Sequence, residues 1–470
     1  MACLIPANIC RVASKTSILS TLPLTTGLCA VVVLVWFCTQ ASAADLGSDC
    51  CADLEERIAE LEDTTARKGN RKVSLTVYGH VNQSVMFWDD GGESNAYVVT
   101  GQNDQSNFGF MGDASIGSDL TAGYSFLVRS QNSLSGEVSQ SDDDTGLPDF
   151  LLWESNVYLE SKSLGRVTMG LASRVSDGAP EHDLSETGLA GYSGVQDIGG
   201  GMALRRSTDK GLIDVGWGDI YSHFNGDTAN LVRYDTPQFA GFTASASWGE
   251  DDLWDVGLSY EGSWGNIAAS GAIAYTENTD GNGVYGDPGE PDYAIVVGSF
   301  ALLHEPSGLN VLIAAAQQSF DNPVTDADGA VRNVEDVSFI YTKLGWITNL
   351  NALGHTAFFA EYGYFQDFVS AGADAGLVAQ LDGTGGTATR ITGNEADVWG
   401  GGVVQQIESA DMDVYLGYRY HEADFDLVNG GGQKVTTTAL EDFHTVNMGA
   451  NINCRLLGLP ASAASEQAEA

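Results

Sequence analysis

The feature that most constrains the fold is a run of alternating apolar and polar residues that begins at Val73. Apolar residues such as Val77 and Val81 alternate there with polar residues such as His80 and Asn82. Because successive side chains of a strand point to opposite faces, one face of this segment is apolar and the other is polar. The run exceeds the roughly 9 to 11 residues that a membrane strand needs, whereas soluble strands average about five or six. The pattern therefore predicts a membrane-crossing strand with a polar inner face.

The same alternation recurs along the chain. Further examples are residues 120–130, 254–261, 358–365, 414–421 and 446–454. Short connections such as 117–119 and 163–165 alternate with long, acidic, Gly-rich ones such as 131–149 and 275–292, which is typical of the two rims of a barrel. A soluble β-sandwich also has alternating strands, but strand length, the polar inner face and the number of segments favour an all-β, transmembrane antiparallel β-barrel.

Composition excludes several other classes of protein. The formal net charge is −42, with 21 Lys and Arg against 63 Asp and Glu, so the chain has no basic surface with which to neutralise nucleic-acid phosphates. The hydrophobic fraction of 43% is too low for a helical membrane protein, while 57 Gly against 10 Pro favours turns and strands. Such acidity is compatible with a solvated lumen and long loops.

The first 43 residues have the arrangement of a signal peptide. Arg11 and Lys15 precede an apolar stretch at 28–38, and Ala41-Ser42-Ala43 follows as a cleavage signature. The apolar stretch is shorter than the roughly 20 residues of a membrane helix. We therefore expect residues 1–43 to be removed and the mature chain to begin near Ala44. An uncleaved membrane anchor is the alternative.

Residues 44–72 precede the first strand and carry a short heptad pattern. Cys51, Leu54, Ile58 and Leu61 have 3-4-3 spacing, which is the a/d pattern of a coiled coil. Two heptads are too short to be stable alone, so the segment is either a periplasmic coiled coil between neighbouring chains or an ordinary solvated helical turn. A basic hinge follows at 67–72.

No motif indicates an enzyme, a metal centre or a cofactor. After removal of the signal peptide, Cys50, Cys51 and Cys454 are too few for a disulfide framework, although Cys50 and Cys51 could pair between chains. The His residues have no metal-binding spacing. The acidic runs at 142–144 and 326–329 could recruit Ca²⁺ but do not complete a calcium-binding loop. Ser222 and His223 are adjacent and would face opposite sides of a strand, so they do not form a catalytic pair.

Several segments resemble outer-membrane porins, in particular alphaproteobacterial (Rhizobiales-type) ones. Residues 50–90 resemble the mature start of those porins, and the resemblance continues in order through the segments 106–124, 156–170, 230–242 and 399–425. It implies a homotrimer of 16-stranded barrels in the outer membrane, in contact with lipid and lipopolysaccharide, that admits small hydrophilic solutes and ions by passive diffusion. One departure is the C-terminus. General porins end on an aromatic residue, whereas here a tail at 455–470 follows Cys454.

The resemblance divides the chain into a barrel at 73–454, an inward-folded loop near 173–203, and a C-terminal extension at 455–470. The acids expected on the loop, facing the pore constriction, are Asp177, Glu181, Asp183, Glu186 and Asp197. Alternation places Val128, Leu204, Tyr234 and Tyr418 toward lipid. The basic residue next to each of them then points into the lumen, where it faces the acids of the loop. The expected basic wall consists of Arg129, Arg205, Arg233 and Arg419. Facing charges across roughly 8 Å are incompletely screened, and the acidic excess predicts a preference for cations. For each acid, the alternative is a solvated loop charge that has no effect on the channel.

Two further functions remain open from the sequence. A channel specific for one class of solute is expected to carry an aromatic ladder or a dense Arg/Lys track along one wall, and the 21 dispersed basic residues do not indicate such a track. A structural protein that tethers the outer membrane through its coiled coil is the other possibility.

Overall fold

The computed structural model describes residues 73–144, 148–249, 252–279, 292–321, 324–325, 331–369, 375–383 and 385–456. The predicted signal peptide and coiled coil, with Cys50 and Cys51, lie outside the described residues. The C-terminal extension lies outside them beyond Leu456.

Sixteen antiparallel strands form a closed barrel. They are β1 (Thr76–Asp89), β2 (Ser94–Thr100 and Asn107–Ser115), β3 (Leu120–Ser130), β4 (Phe150–Ser161), β5 (Gly165–Ser173), β6 (Thr228–Asp235), β7 (Phe242–Gly249), β8 (Leu253–Trp264), β9 (Ile267–Asn278), β10 (Tyr293–His304), β11 (Leu309–Phe320), β12 (Val337–Thr348), β13 (Thr356–Gln366), β14 (Ala388–Ile407), β15 (Met412–Asn429) and β16 (Phe443–Leu456). The 16-stranded barrel implied by the resemblance is therefore confirmed.

Closure depends on the pairing of the first strand with the last. Val81 of β1 lies opposite Ile452 of β16, and the other edge of β1 pairs with both segments of β2. A closed barrel has no free sheet edge, so the backbone donors and acceptors of the wall are satisfied between strands, as a bilayer requires.

The predicted alternation is present in β1. Asn82, Ser84 and Met86 are buried on the inner side, whereas Val81 and Phe87 are exposed on the outer side. The outer side faces lipid in a membrane barrel, so exposed apolar residues there need no protein partner.

The barrel has two different rims. The start of β1 and the end of β16 lie at the same rim. The short connections, such as 116–119, 162–164 and 265–266, lie at that rim too. We call this the short rim and the opposite one the long rim. The connection from β5 to β6, residues 174–227, leaves the long rim and is called the inner loop below.

An apolar core lies inside the barrel, between the inner loop and one side of the wall. Trp217 of the inner loop stacks between Tyr221 of the same loop and Phe443 of β16. The ring centroids of these two residues lie 5.9 and 5.6 Å from that of Trp217. A short helix, α1 (Ala375–Leu381), adds Leu377 and Leu381 to the same core. The inner loop therefore fills part of the lumen with packed side chains. Among the described residues, no helix is long and apolar enough to cross a membrane.

Candidate functional site

The inner loop enters the lumen from β5 and is bound by inward-facing polar side chains of β8, β9 and β10. The backbone N–H and hydroxyl of Ser176 both donate to Asp255 of β8 at 2.9 Å. The backbone N–H of His182 donates to the Ser299 hydroxyl of β10 at 3.0 Å, and its ring Nδ1 lies 2.8 Å from the Ser270 hydroxyl of β9. Burial lowers the pKa of His182 below its usual value. The loop is therefore held across the barrel interior.

A lysine of the wall binds the middle of the inner loop. Lys343 of β12 is 1% exposed, and its ammonium group donates to the Asp183 carboxylate at 2.5 Å. It also donates to the Thr187 hydroxyl at 3.0 Å and to the Gly191 carbonyl at 2.7 Å. All three donor positions of the ammonium group are thus used on the loop.

A second wall cation binds the next turn. Arg419 of β15 is 2% exposed and forms an ion pair with Glu361 of β13, with 2.7 Å between Nε and Oε1. Its other guanidinium nitrogens donate to the Val195 carbonyl at 3.2 Å and the Tyr192 carbonyl at 3.0 Å. The Tyr341 hydroxyl donates to Glu361 at 2.5 Å. Arg419 therefore binds the loop through guanidinium N–H groups that do not donate to Glu361.

The acids predicted on the loop differ in their surroundings. Asp197 accepts hydrogen bonds from the Tyr192 hydroxyl and, at 3.1 Å, from the Gln102 side chain. Burial raises the pKa of Asp197 to about 6. Burial also raises the pKa of Asp177, and the charges of Glu181 and Asp227 add to that effect.

Glu181 is paired with a histidine of the same loop. The Nε2 atom of His223 lies 2.7 Å from Glu181 Oε1, and Nδ1 lies 2.7 Å from the Gln196 side-chain nitrogen. Burial alone would lower the pKa of His223, but the carboxylates of Glu181 and Asp197 hold it above the usual value. Part of the negative charge of Glu181 is therefore balanced within the loop.

Glu186 is the most solvent-accessible of the predicted acids. Its side chain is 49% exposed, against 15% for Asp183. It has a φ of 57°, a left-handed conformation that a residue with a side chain rarely adopts. Its carboxylate lies 3.3 Å from Nδ1 of His355, which precedes β13. The loop therefore presents Glu186 to the lumen while Asp183 is bound by Lys343.

Arginines line the opposite part of the wall on β3 to β6. The Arg129 guanidinium lies 3.7 Å from the centre of the Trp153 ring, and Arg166 lies at the same distance from the Tyr158 ring. Arg233 forms an ion pair with Asp235 at 2.9 Å. Arg129 lies on β3, Arg233 on β6 and Arg419 on β15, and Arg419 contacts the inner loop. The role of these arginines at a pore constriction stays a prediction.

Arg205 lies elsewhere than predicted. It belongs to the inner loop, at the end of a short strand Ala203–Arg205, where it forms an ion pair with Asp90 at 2.8 Å. Burial would raise the pKa of Asp90, but the hydrogen bond from Arg205 helps to hold it below the usual value. Leu204 is buried in the core and does not face lipid. A hairpin inside the lumen has the same alternation as a wall strand, so local pattern could not separate them.

Sequence reasoning missed Lys343, Glu361 and Arg166. Lys343 shares its face of β12 with the buried Phe339 and Tyr341, and a lysine on that face signals an inward cation. That signal was available in the strand pattern. Its partner Asp183 lies 160 residues away in the chain, so the pairing itself was not.

Comparison with known proteins supplies the family. A family model described as Gram-negative porin matches residues 30–451. Among solved structures, OmpT, an outer membrane protein of Vibrio cholerae, is 13% identical with a TM-score of 0.48, covering 82% of this chain and 99% of that one. An anion-selective porin from Comamonas acidovorans is 16% identical with a TM-score of 0.49, covering 81% of this chain and 100% of that one. The search of curated proteins finds no match.

The family match covers most of the chain, including every strand from β1 to β15 and most of β16. It agrees with the closed 16-stranded barrel, which supports an outer-membrane channel. The chain belongs to the Gram-negative porin family.

Proposed function

We propose that the protein forms a water-filled channel through which small hydrophilic solutes and ions diffuse passively, with a preference for cations. The observation that carries the preference is the difference between the two sets of lumen charges. Glu186 is half-exposed on the inner loop, whereas Lys343 and Arg419 are buried in ion pairs. Charges that are exposed to a narrow aqueous passage act on its potential more strongly than charges buried in ion pairs. These contacts favour a net negative constriction, and no catalytic role is proposed for the site.

The preference is tested by reversal potentials in a planar bilayer across a KCl gradient. We expect wild type to favour K⁺, and Glu186→Gln to shift the reversal potential toward the value for Cl⁻. Asp142→Asn is the matched control, because Asp142 lies in the connection between β3 and β4 at the long rim, where salt screens it beyond roughly 8 Å. Equal shifts from both variants would contradict a selectivity set by the inner loop.

The channel is proposed to act as a homotrimer surrounded by outer-membrane lipid and lipopolysaccharide. Four phenylalanines cluster on the outer side of β2 to β4, with ring centroids 6.1 to 6.4 Å apart; they are Phe108, Phe110, Phe126 and Phe150. Such a patch is compatible with either lipid or a second barrel. Native mass measurement in mild detergents tests the trimer, and monomers in every detergent would contradict it.

Export through the signal peptide and origin from the alphaproteobacterial group remain predictions of the sequence. The proposal is that signal peptidase cleaves after Ala43 and leaves a mature start near Ala44. N-terminal sequencing of the outer-membrane fraction tests it. Detection of Met1 in that fraction would support the uncleaved anchor instead.

A channel specific for one class of solute is the second candidate function. Arg129, Arg166 and Arg233 share the wall β3 to β6 with Trp153 and Tyr158, a closer grouping than dispersed basic residues suggest. Saturation of the flux of one solute in liposome swelling, with competition by its analogues, would favour this alternative over diffusion.

A further inference from the structure

A groove of about 630 Å³ runs along the outer side of β8 to β10, and we call it the outer groove. Gly271 of β9 forms part of its floor. The sheet register places Tyr260 of β8 and Phe300 of β10 directly opposite that glycine, so an aromatic residue flanks each side of a position without a side chain. Leu258 and Ile273 continue the groove toward the long rim. The outer side of a membrane barrel faces lipid, so the groove opens into the bilayer.

The depth of the outer groove depends on its glycine. A Cβ atom on Gly271 would lie 2.7 Å from the Ser299 carbonyl oxygen and 2.8 Å from the Phe300 ring, so a larger residue would fill this space. Gly271 pairs with both neighbouring strands, and the polar groups of the floor therefore need no partner from the membrane. An apolar chain can lie against the backbone beside the Phe300 ring and gain dispersion contacts there.

An aromatic belt indicates the depth of the groove in the bilayer. The ring centroids of Phe242 and Tyr260 are 4.7 Å apart, and Trp264, at the short-rim end of β8, lies 6.2 Å from Tyr260. Such belts mark the interface between hydrocarbon and headgroups. Trp264 and Leu258 are about 20 Å apart along β8 at roughly 3.4 Å per residue, or about 15 Å along the membrane normal at a tilt of about 40°. That depth is half of the roughly 30 Å of hydrocarbon, which is the depth that one acyl chain occupies.

The charge around the groove argues against lipopolysaccharide as its occupant. Residues 234–331 contain no lysine or arginine, so β7 to β10 and the turns between them offer no cation to the phosphates of that lipid. The short turns of outer-membrane barrels lie on the periplasmic side, where the leaflet consists of phospholipids. The groove therefore meets the acyl chains of the phospholipid leaflet.

The shape of the groove argues against a second barrel. The wall of a neighbouring barrel is convex, so it would touch the ring edges of Tyr260 and Phe300 without reaching the Gly271 backbone between them. A single chain of methylene groups is thin enough to follow that floor.

We propose that the outer groove binds one acyl chain of a phospholipid from the periplasmic leaflet and retains it longer than the surrounding lipid. Lipid chains are as apolar as the side chains of the groove, so retention depends on close packing and not on a hydrophobic driving force. The bound chain covers Ile273 and Phe300, which are 56% and 47% exposed. The volume of the groove lies within the roughly 300 to 1,000 Å³ of ligand sites.

The test is photo-crosslinking of the full-length protein in liposomes that contain a trace of phosphatidylcholine with a diazirine in one acyl chain. Mass spectrometry of the peptides locates the labelled residues. We expect β8 to β10 to be labelled about fivefold more than β13, because packing in the groove prolongs the contact. The outer side of β13 carries Phe358, which does not line the groove.

Three variants alter the groove and one serves as the control. Tyr260→Ala and Phe300→Ala each remove one wall, and each should lower the labelling of β8 to β10 about threefold. Gly271→Leu fills the floor and should lower it as much, provided that its mobility on unheated gels shows an assembled barrel. Phe358→Ala is the matched control, since it removes an outward aromatic ring of β13, and it should leave the labelling of β8 to β10 unchanged.

Equal labelling of β8 to β10 and β13 in wild type would assign the contacts to the general lipid around the barrel and overturn the site. Labelling that stays at the wild-type level in Tyr260→Ala and Phe300→Ala would overturn it as well. If β8 to β10 are protected from the label in the native oligomer and become labelled once the oligomer dissociates, the groove holds a second barrel and the proposal is wrong.

Discussion

At the scale of single residues, burial distinguishes charges that are exposed to the lumen from charges that hold the inner loop in place. Asp183 and Glu186 are separated by two residues in the chain, yet Lys343 binds only the first. A carboxylate with an ammonium group at 2.5 Å contributes little net field at a distance. In the proposed channel, we therefore expect Glu186 to contribute more to ion selectivity than Asp183 does.

Two buried groups of the inner loop, Asp197 and His223, predict a pH dependence of the loop. The pKa of Asp197 is raised to about 6 and that of His223 is raised as well. A raised pKa in the folded state adds stability that is present at low pH and is lost as the pH rises through the folded value. For Asp197 the loss corresponds to about 3 kcal/mol between roughly pH 4 and 7.

The other titratable groups that act on Asp197 and His223 include Tyr192, Glu181, Asp227 and Arg419. We expect amide hydrogen exchange of residues 192–198, corrected for the intrinsic rate, to be faster at pH 8 than at pH 5. Asp197→Asn should reduce that difference, because the amide keeps the hydrogen bond acceptor and does not ionise. An unchanged difference in Asp197→Asn would show that Asp197 is not its source.

At the scale of elements, two strands of the wall hold the inner loop through cations. β12 provides Lys343 and β15 provides Arg419, which together bind the carbonyls of Gly191, Tyr192 and Val195. Backbone carbonyls in the lumen need donors, and these cations supply them where no neighbouring strand can. The loop is thus positioned by side chains of the barrel wall.

Replacement of Arg419 is expected to release the loop. Arg419→Met leaves the Glu361 carboxylate buried without its cation, which typically costs about 3 to 5 kcal/mol. We expect larger current fluctuations in single-channel recordings and a lower unfolding temperature. The double variant Arg419→Met with Glu361→Leu should recover part of the unfolding temperature but not the quiet current, since the loop carbonyls still lack their donors. Recovery of both properties would contradict a positioning role for Arg419.

At the scale of the whole molecule, the barrel presents its apolar side chains outward. Phe300 of β10 is 47% exposed on the outer side near the middle of its strand. The outer side of a membrane barrel faces lipid, so an exposed phenylalanine is expected there. The apolar core of the same molecule lies inside, where the inner loop meets β1, β2 and β9 to β16.

Phe300→Arg should destabilise the barrel by about 2 to 4 kcal/mol, the cost of a cation at the bilayer midplane. Leu350→Arg is the control, because Leu350 is exposed on the turn between β12 and β13 at the short rim and an arginine there can reach water. Unfolding by urea in liposomes measures both variants. Equal costs would contradict the assignment of the outer side of β10 to lipid.

The sequence by itself determined the barrel class and the strands with clear alternation, such as 120–130 and 414–421, because alternation is a local property that a strand carries in its own residues. That property sufficed for the barrel class and for the two faces of β1. The number of strands came from the family resemblance. Only the tertiary structure decided the contacts of the inner loop. Lys343 and Asp183 are 160 residues apart, and Arg205 lies on a hairpin inside the lumen, where the period of two is the same as on the wall. Long-range pairing depends on which residues closure brings together, and no local pattern contains that information.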